Sequence, residues 1–183
     1  MEQLGLGALH SPIDSRTFAH PTMGIPSIVI AGQKYNPEDH EHQHNVGICT
    51  AISLVQNAEK VFGKKYSPDF QYLLQKKFID GNWDEGSAIF SALKVGKNFG
   101  FLPIEEFTYV TEEDRKLPYP QYITKLQAIP QTEITRLLTL CKDKVTAYAQ
   151  VDISSREMIA KAIYDSEAGI LCRYEVGNEW WTV

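Results

Sequence analysis

From Val46 onward, apolar side chains fall at three- and four-residue steps: Ile48, Ala51, Ile52, Val55, Ala58 and Phe62. That spacing predicts an amphipathic helix over 47–62, and Gly63 suits its stop. Ser67 and Pro68 open a second helix, since serine caps well and proline is pre-set for the first helical position. Phe70, Leu73, Leu74 and Phe78 carry it to Ile79, before a turn at Asp80-Gly81-Asn82. A third helix is expected over 86–97, with Ile89, Phe90 and Leu93 inward and Gly96 near its end. Residues 47–97 therefore read as a helical lobe. Ahead of them, Pro12, Pro21, Pro26 and Pro37 interrupt a stretch with little periodicity. It reads as an extended arm ordered by what it packs against, with one strand candidate at Ser27–Ile30.

The second half alternates more. Residues 99–131 hold Pro103, Pro118, Pro120 and Pro130 and read as loop, with short strands expected at Phe107–Val110 and Tyr122–Ile129. Thr132 is expected to cap a helix carrying Ile134, Leu137, Leu138 and Cys141. Lys144–Val151 alternates like a strand. Ser154 or Ser155 caps a helix through Ile159, Ala162 and Ile163, and Gly169–Val176 is the next strand.

Composition narrows the class. The 183 residues are 43% hydrophobic and 22% charged, enough to bury a core without staples. No apolar run reaches the roughly 20 residues of a membrane span, and the N-terminus lacks the features of a secretory signal. A net charge of −5 carries no basic footprint for nucleic acid. Cys49, Cys141 and Cys172 are too few, and odd in number, for a disulfide framework. A cytoplasmic location is expected.

The chemistry concentrates in Gln43-His44-Asn45-Val46-Gly47-Ile48-Cys49-Thr50-Ala51. Cys49 falls at the first turn of a buried-looking helix, where the positive helix end stabilises a thiolate and primes a nucleophile. Six residues earlier, the Gln43 amide can turn back to the helix mouth. With the Cys49 backbone N–H it offers two donors to a developing oxyanion. Gly47 lets a substrate approach the turn closely.

This arrangement resembles the papain-like cysteine peptidases, whose signature is Gln, five residues, then Cys on a helix N-terminus. The arm Gly7–Arg16 is similar to the leader of the bacterial and phage branch, with its Asp-x-Arg run. Tyr66–Phe70 looks like the family's second helix, and Asp84–Ile89 with Gly100–Pro103 like its third helix and exit loop. The resemblance implies an α+β, papain-like fold, with a helical left lobe and an incomplete β-barrel-like right lobe. It divides the chain into an N-terminal arm at 1–45, a helical lobe at 46–110 and a partial β-rich lobe at 111–183. It implies cleavage of a peptide or protein substrate by Cys49, with Gln43 in the oxyanion hole. Gly47 and Gly86 would bind substrate, Gly86 through its backbone. No cofactor, metal, nucleic acid or membrane is implied.

Three departures stand out, and the last bears on activity. Val46 stands where better-known members carry a second cysteine, and Thr50 where they carry an aromatic residue. More seriously, no histidine follows His44, so the family's general base and the asparagine that orients it are missing. Either a C-terminal piece or a second chain supplies them, or this is a degenerate relative that binds or assembles without cutting.

Other readings are open for the same residues. Cys49 is also compatible with plain core packing, the expected role of Cys141 and Cys172. His40, His42 and His44 alternate, and an extended chain would present them on one side as zinc or copper ligands. A metal-binding module is therefore a further alternative. Asp84, Glu85, Glu105 and Glu106 are expected as solvated surface charge rather than a glycosidase pair. Tyr119, Tyr122, Trp180 and Trp181 are expected in packing. Gly96 and Gly100 lack the strand–loop–helix order of a phosphate loop.

Overall fold

The computed structural model describes residues 8–9, 18–19, 41–151, 154–165, 170–176 and 179–182. Two short pieces of the arm pair with distant strands. Ala8–Leu9 (β1) runs parallel to Ser87–Ala88 (β3), and Phe18–Ala19 (β2) runs parallel to Ala149–Gln150 (β4). The candidate strand at Ser27–Ile30 lies outside the described residues, as does the Asp14–Arg16 run.

The first long helix, α1, spans Cys49–Phe62. Gly63 ends it in the left-handed region (φ 66°), its N–H returning 2.8 Å to the Glu59 carbonyl. Its first half is not amphipathic: every residue from Cys49 to Val55 is buried. Such a helix is enclosed on all sides rather than along one stripe. One face meets a core built on Ile48, Phe70, Leu74, Tyr122, Leu126 and Ile134. The other meets Tyr66, Ala92 and Phe101, together with α1's own Leu54 and Val55.

Helix α2 covers Pro68–Leu74 and runs on as a π-helical turn, Gln75–Asp80. Ser67 caps it as expected, Oγ accepting the Phe70 N–H at 3.1 Å. The third helix starts later than expected. Ser87 and Ala88 are extended in β3, and α3 covers Ile89–Asn98. Gly96 lies inside it, near its end as expected. A Cβ there would sit 2.9 Å from Val145 Cγ2 and 3.2 Å from Phe101 Cζ, so the missing side chain admits the crossing segment. That segment bonds through the Val145 N–H to the Gly96 carbonyl at 3.1 Å.

Both strands expected between 107 and 129 are absent. Phe107–Val110 is irregular, between 3₁₀ turns at Ile104–Glu106 and Glu112–Lys116. Tyr122–Ile129 lies mostly in helix α4, Tyr119–Gln127. Tyr122, Ile123, Leu126 and Ile129 are all buried. Their offsets of one, four and seven residues are helical, and Pro120 sits in the first turn, where proline is tolerated. Helix α5 spans Gln131–Leu138 with Pro130 at its N-cap position, so Thr132 lies inside it and is not its cap. The strand expected over 144–151 shrinks to β4. Ser155 does cap α6 (Arg156–Asp165), accepting from the Met158 N–H at 3.3 Å. Ile163 on that helix is exposed.

Strands β5 (Arg173–Val176) and β6 (Glu179–Thr182) form an antiparallel hairpin, and β6 lies beside α1 and β1. Strands pair only two by two among the described residues, so the expected barrel-like lobe is not seen there. The apolar residues between 119 and 138 went into helices instead, and they join the core that runs from Val46 to Cys141. No described helix is long and apolar enough to cross a membrane.

Candidate active site

Cys49 is the first residue of α1 and is 4% exposed. Ile48 precedes it in a non-helical conformation and gives no side-chain cap, and the first turn carries no acidic residue. The positive end of the helix therefore faces the sulfur's surroundings without an opposing carboxylate on that turn. The lead-in is a run of tight turns. The Gln43 carbonyl accepts from the Val46 N–H at 3.3 Å, and the Val46 carbonyl from the Ile48 N–H at 2.9 Å. Gln43 is partly buried at the head of these turns. Behind Cys49, Thr50 is fully buried and donates to Gln75 Oε1 at 3.0 Å. The position where related enzymes are expected to carry an aromatic residue is thus filled by a polar link to the segment after α2.

Gly47 and Gly86 are brought together. The Gly47 N–H donates to Glu85 Oε1 at 2.9 Å. A Cβ on Gly47 would lie 2.9 Å from Glu85 Cγ and 3.2 Å from the Gly86 nitrogen. The glycine is needed for the close approach of the 85–86 segment, a packing reason additional to substrate access. Glu85 corrects the expectation of solvated charge. It is partly buried, and that burial raises its pKa, with the Gly47 N–H working in the opposite direction.

The Gly86 carbonyl faces inward, accepting from Lys76 Nζ at 2.8 Å and Tyr72 Oη at 3.4 Å. Lys76 is completely buried and also donates to Asp80 Oδ2 and Asn82 Oδ1, each at 3.1 Å. Asp80 accepts from Ser87 Oγ at 2.9 Å. A single ammonium thus holds the whole 80–87 turn that delivers Gly86 to Gly47.

A second ionic cluster holds the lead-in. Arg115, 2% exposed, donates through Nε and Nη2 to Asp69, with a shortest contact of 2.7 Å. Through Nη1 it reaches Glu41 Oε2 at 2.7 Å and the His42 carbonyl at 3.0 Å. Tyr122 Oη adds a bond to Asp69 Oδ1 at 2.9 Å. Burial works against the charge on Arg115, but Asp69 and then Glu41 outweigh it, so the guanidinium is held more firmly protonated than usual. Sequence reading missed Asp69, Lys76 and Arg115 as partners. Asp69 carried only the signal of an acid in a helix's first turn, and Arg115 lay in apparent loop.

The described histidines form no metal site. His44 Nε2 lies 3.0 Å from Glu112 Oε1, and His42 is exposed with its ring 5.6 Å from that of His44. His40 is outside the described residues, and among those described no three His, Cys, Asp or Glu groups gather for a metal. No disulfide joins the three cysteines. Cys141 is buried, with Sγ 3.6 Å from the Leu137 carbonyl, and burial pushes its thiol up to about 11. Cys172 is exposed, not in the core as expected.

No family model matches the chain, and no curated relative matches it. Among solved structures it is similar to xylellain, a cysteine protease from Xylella fastidiosa, with a TM-score of 0.61 and 20% identity. The match covers 87% of this chain and 62% of that one. The chain shares the fold of a papain-like cysteine protease. It spans less than two thirds of that neighbour's length.

Proposed function

We propose that this chain carries the nucleophile half of a papain-like cysteine peptidase. The observation that supports this most is the position of Cys49. It opens a buried helix, six residues after Gln43, in a fold shared with a cysteine protease. The Cys49 thiolate attacks the carbonyl carbon of a peptide bond, and the electrons shift to oxygen. Gln43 and the Cys49 backbone N–H receive that oxyanion. Collapse expels the amine, which takes a proton from the general acid, and water then releases the acyl group. Gly86 and Gly47 line the approach of an extended substrate backbone. The imidazole that accepts and returns the proton is supplied from outside residues 45–183, which contain no histidine.

The test is turnover of peptide substrates by the intact protein and its Cys49→Ala variant, with alkylation by iodoacetamide near neutral pH. Turnover should vanish in the variant. Cys49 should react before Cys141, whose thiol near 11 is almost wholly protonated at that pH. Turnover that survives Cys49→Ala ends the peptidase reading. Intact protein that neither cleaves peptides nor alkylates at Cys49 supports a non-catalytic binding or assembly role on the same fold.

A further inference from the structure

The segment that carries Gln43 into the nucleophile helix is held from one side by five hydrogen bonds. Arg115 Nη1 reaches Glu41 Oε2 at 2.7 Å and the His42 carbonyl at 3.0 Å. The Arg115 carbonyl accepts the Asn45 N–H at 3.0 Å, and the Lys116 carbonyl accepts Asn45 Nδ2 at 2.7 Å. Glu112 meets His44 at 3.0 Å. Residues 41, 42, 44 and 45 are thus pinned, and Gln43 lies between them. His44 has φ 53°, the one non-glycine residue with positive φ among those described. Such backbone is uncommon and persists where its surroundings over-determine it.

The far edge of the guanidinium is anchored on Asp69, in the first turn of α2, which is itself 3% exposed. One planar group therefore ties the lead-in to a buried helix. A lysine cannot reproduce this, because it lacks the fixed fork. A buried ionic cluster contributes little stability over a well-packed apolar one, and its attested use is to specify one conformation. The conformation specified here is that of the loop on which Gln43 sits.

We propose that Arg115, acting with Glu41, is a positioning residue that fixes the Gln43 loop and so the geometry of the oxyanion site. This rests on the peptidase reading above. Arg115 does not touch substrate in this scheme. It acts through Gln43, and Glu41 is the contact that can be cut without disturbing the Arg115–Asp69 pair.

The experiment compares Glu41→Gln, Arg115→Lys and Gln43→Ala, with each double variant, in the intact protein. Gln43→Ala should lower kcat about 10²-fold to 10³-fold, as for loss of one oxyanion donor. Glu41→Gln and Arg115→Lys should lower kcat on the order of 10-fold to 100-fold with little change in KM, the cost of a small misplacement. The Gln43→Ala/Glu41→Gln double variant should be no slower than Gln43→Ala alone, because both act on one donor. Amide hydrogen exchange, which needs no turnover, should quicken at 42–48 in Glu41→Gln while α5 is unchanged. Multiplicative kcat losses, or unchanged exchange at 42–48, would overturn the positioning role. If Gln43→Ala costs nothing, the oxyanion assignment fails instead, and exchange still reports whether the clamp holds the loop.

Discussion

Arg115 and Lys76 are both almost inaccessible, at 2% and 0% exposure, yet they organise the candidate site on different scales. Lys76 gathers acceptors four, six and ten residues away in sequence. It closes one local turn. Arg115 gathers Asp69, His42 and Glu41, at separations of 46, 73 and 74 residues. It joins three parts of the chain that meet only after folding. The chemistry matches the task. An ammonium is a compact charge with rotatable donors and suits a tight cage of mixed oxygens, whereas a guanidinium presents a rigid fork with two usable edges. The local hub places Gly86 against Gly47, and the long-range hub places the loop ahead of Cys49. A site assembled this way depends on the Arg115 cluster for its tertiary geometry and on Lys76 for one wall.

The largest expected effect separates the two. Arg115→Met leaves Asp69 and Glu41 without their cation and should cost about 3–5 kcal/mol, as for breaking a buried ion pair. Lys76→Met breaks a single buried ion pair, to Asp80, and strands the Gly86 carbonyl and Asn82, and should cost about 3 kcal/mol, the low end of that range. Urea denaturation of both variants measures the difference. A larger loss at Lys76 would invert the comparison.

A smaller effect sharpens it. Tyr122→Phe removes the hydroxyl that donates to Asp69 at 2.9 Å and should cost about 1.5–3 kcal/mol, the range for a bond to a charged group. Combined with Arg115→Met, its loss should depart from additivity by at least about 0.5 kcal/mol. Simple addition would show that Asp69 does not couple the two.

The smallest effect is on pH dependence. The hydrogen bond from His44 holds Glu112 below the usual glutamate range. A carboxylate lowered in the folded state adds stability that is complete above its unfolded value, near 4.5. That stability is lost as pH falls through the lowered value. Glu112 is half exposed, so solvent screens most of the gain. Stability curves of wild type and Glu112→Gln should therefore differ only slightly, with the wild type ahead above that range and the difference fading as pH falls through it. A difference of equal size at pH 7 and pH 3 would mean that the pair is not ionic.

Local signals served well where the physics is local. Gly63 could be read as the stop of α1, Ser67 as the cap of α2 and Ser155 as the cap of α6. Each follows from a short-range backbone bond that the residue type itself makes. Reading failed where two periods fit one short stretch. Tyr122–Ile129 is rich in residues that favour strands, and only its helical spacing, backed by burial in the shared core, decides it. Gly96 could be placed near the end of α3, but the reason for a glycine there is Val145, a neighbour 49 positions away. The site divides in the same way. The Gln43–Cys49 spacing and the helix start are visible in a line of text. Glu85, Lys76, Asp69 and Arg115 are not, because a charged residue on a predicted helix or in an apparent turn or loop looks solvated until its partner arrives.

The amino-acid order alone therefore determined that a thiol opens a buried helix with a glutamine six places ahead, since helix periodicity and capping depend on nearest neighbours. The folded chain alone decided which buried cations hold that glutamine's loop and the facing glycine in place. Those bonds close loops of tens of residues, and nothing short of the packed core brings their ends together.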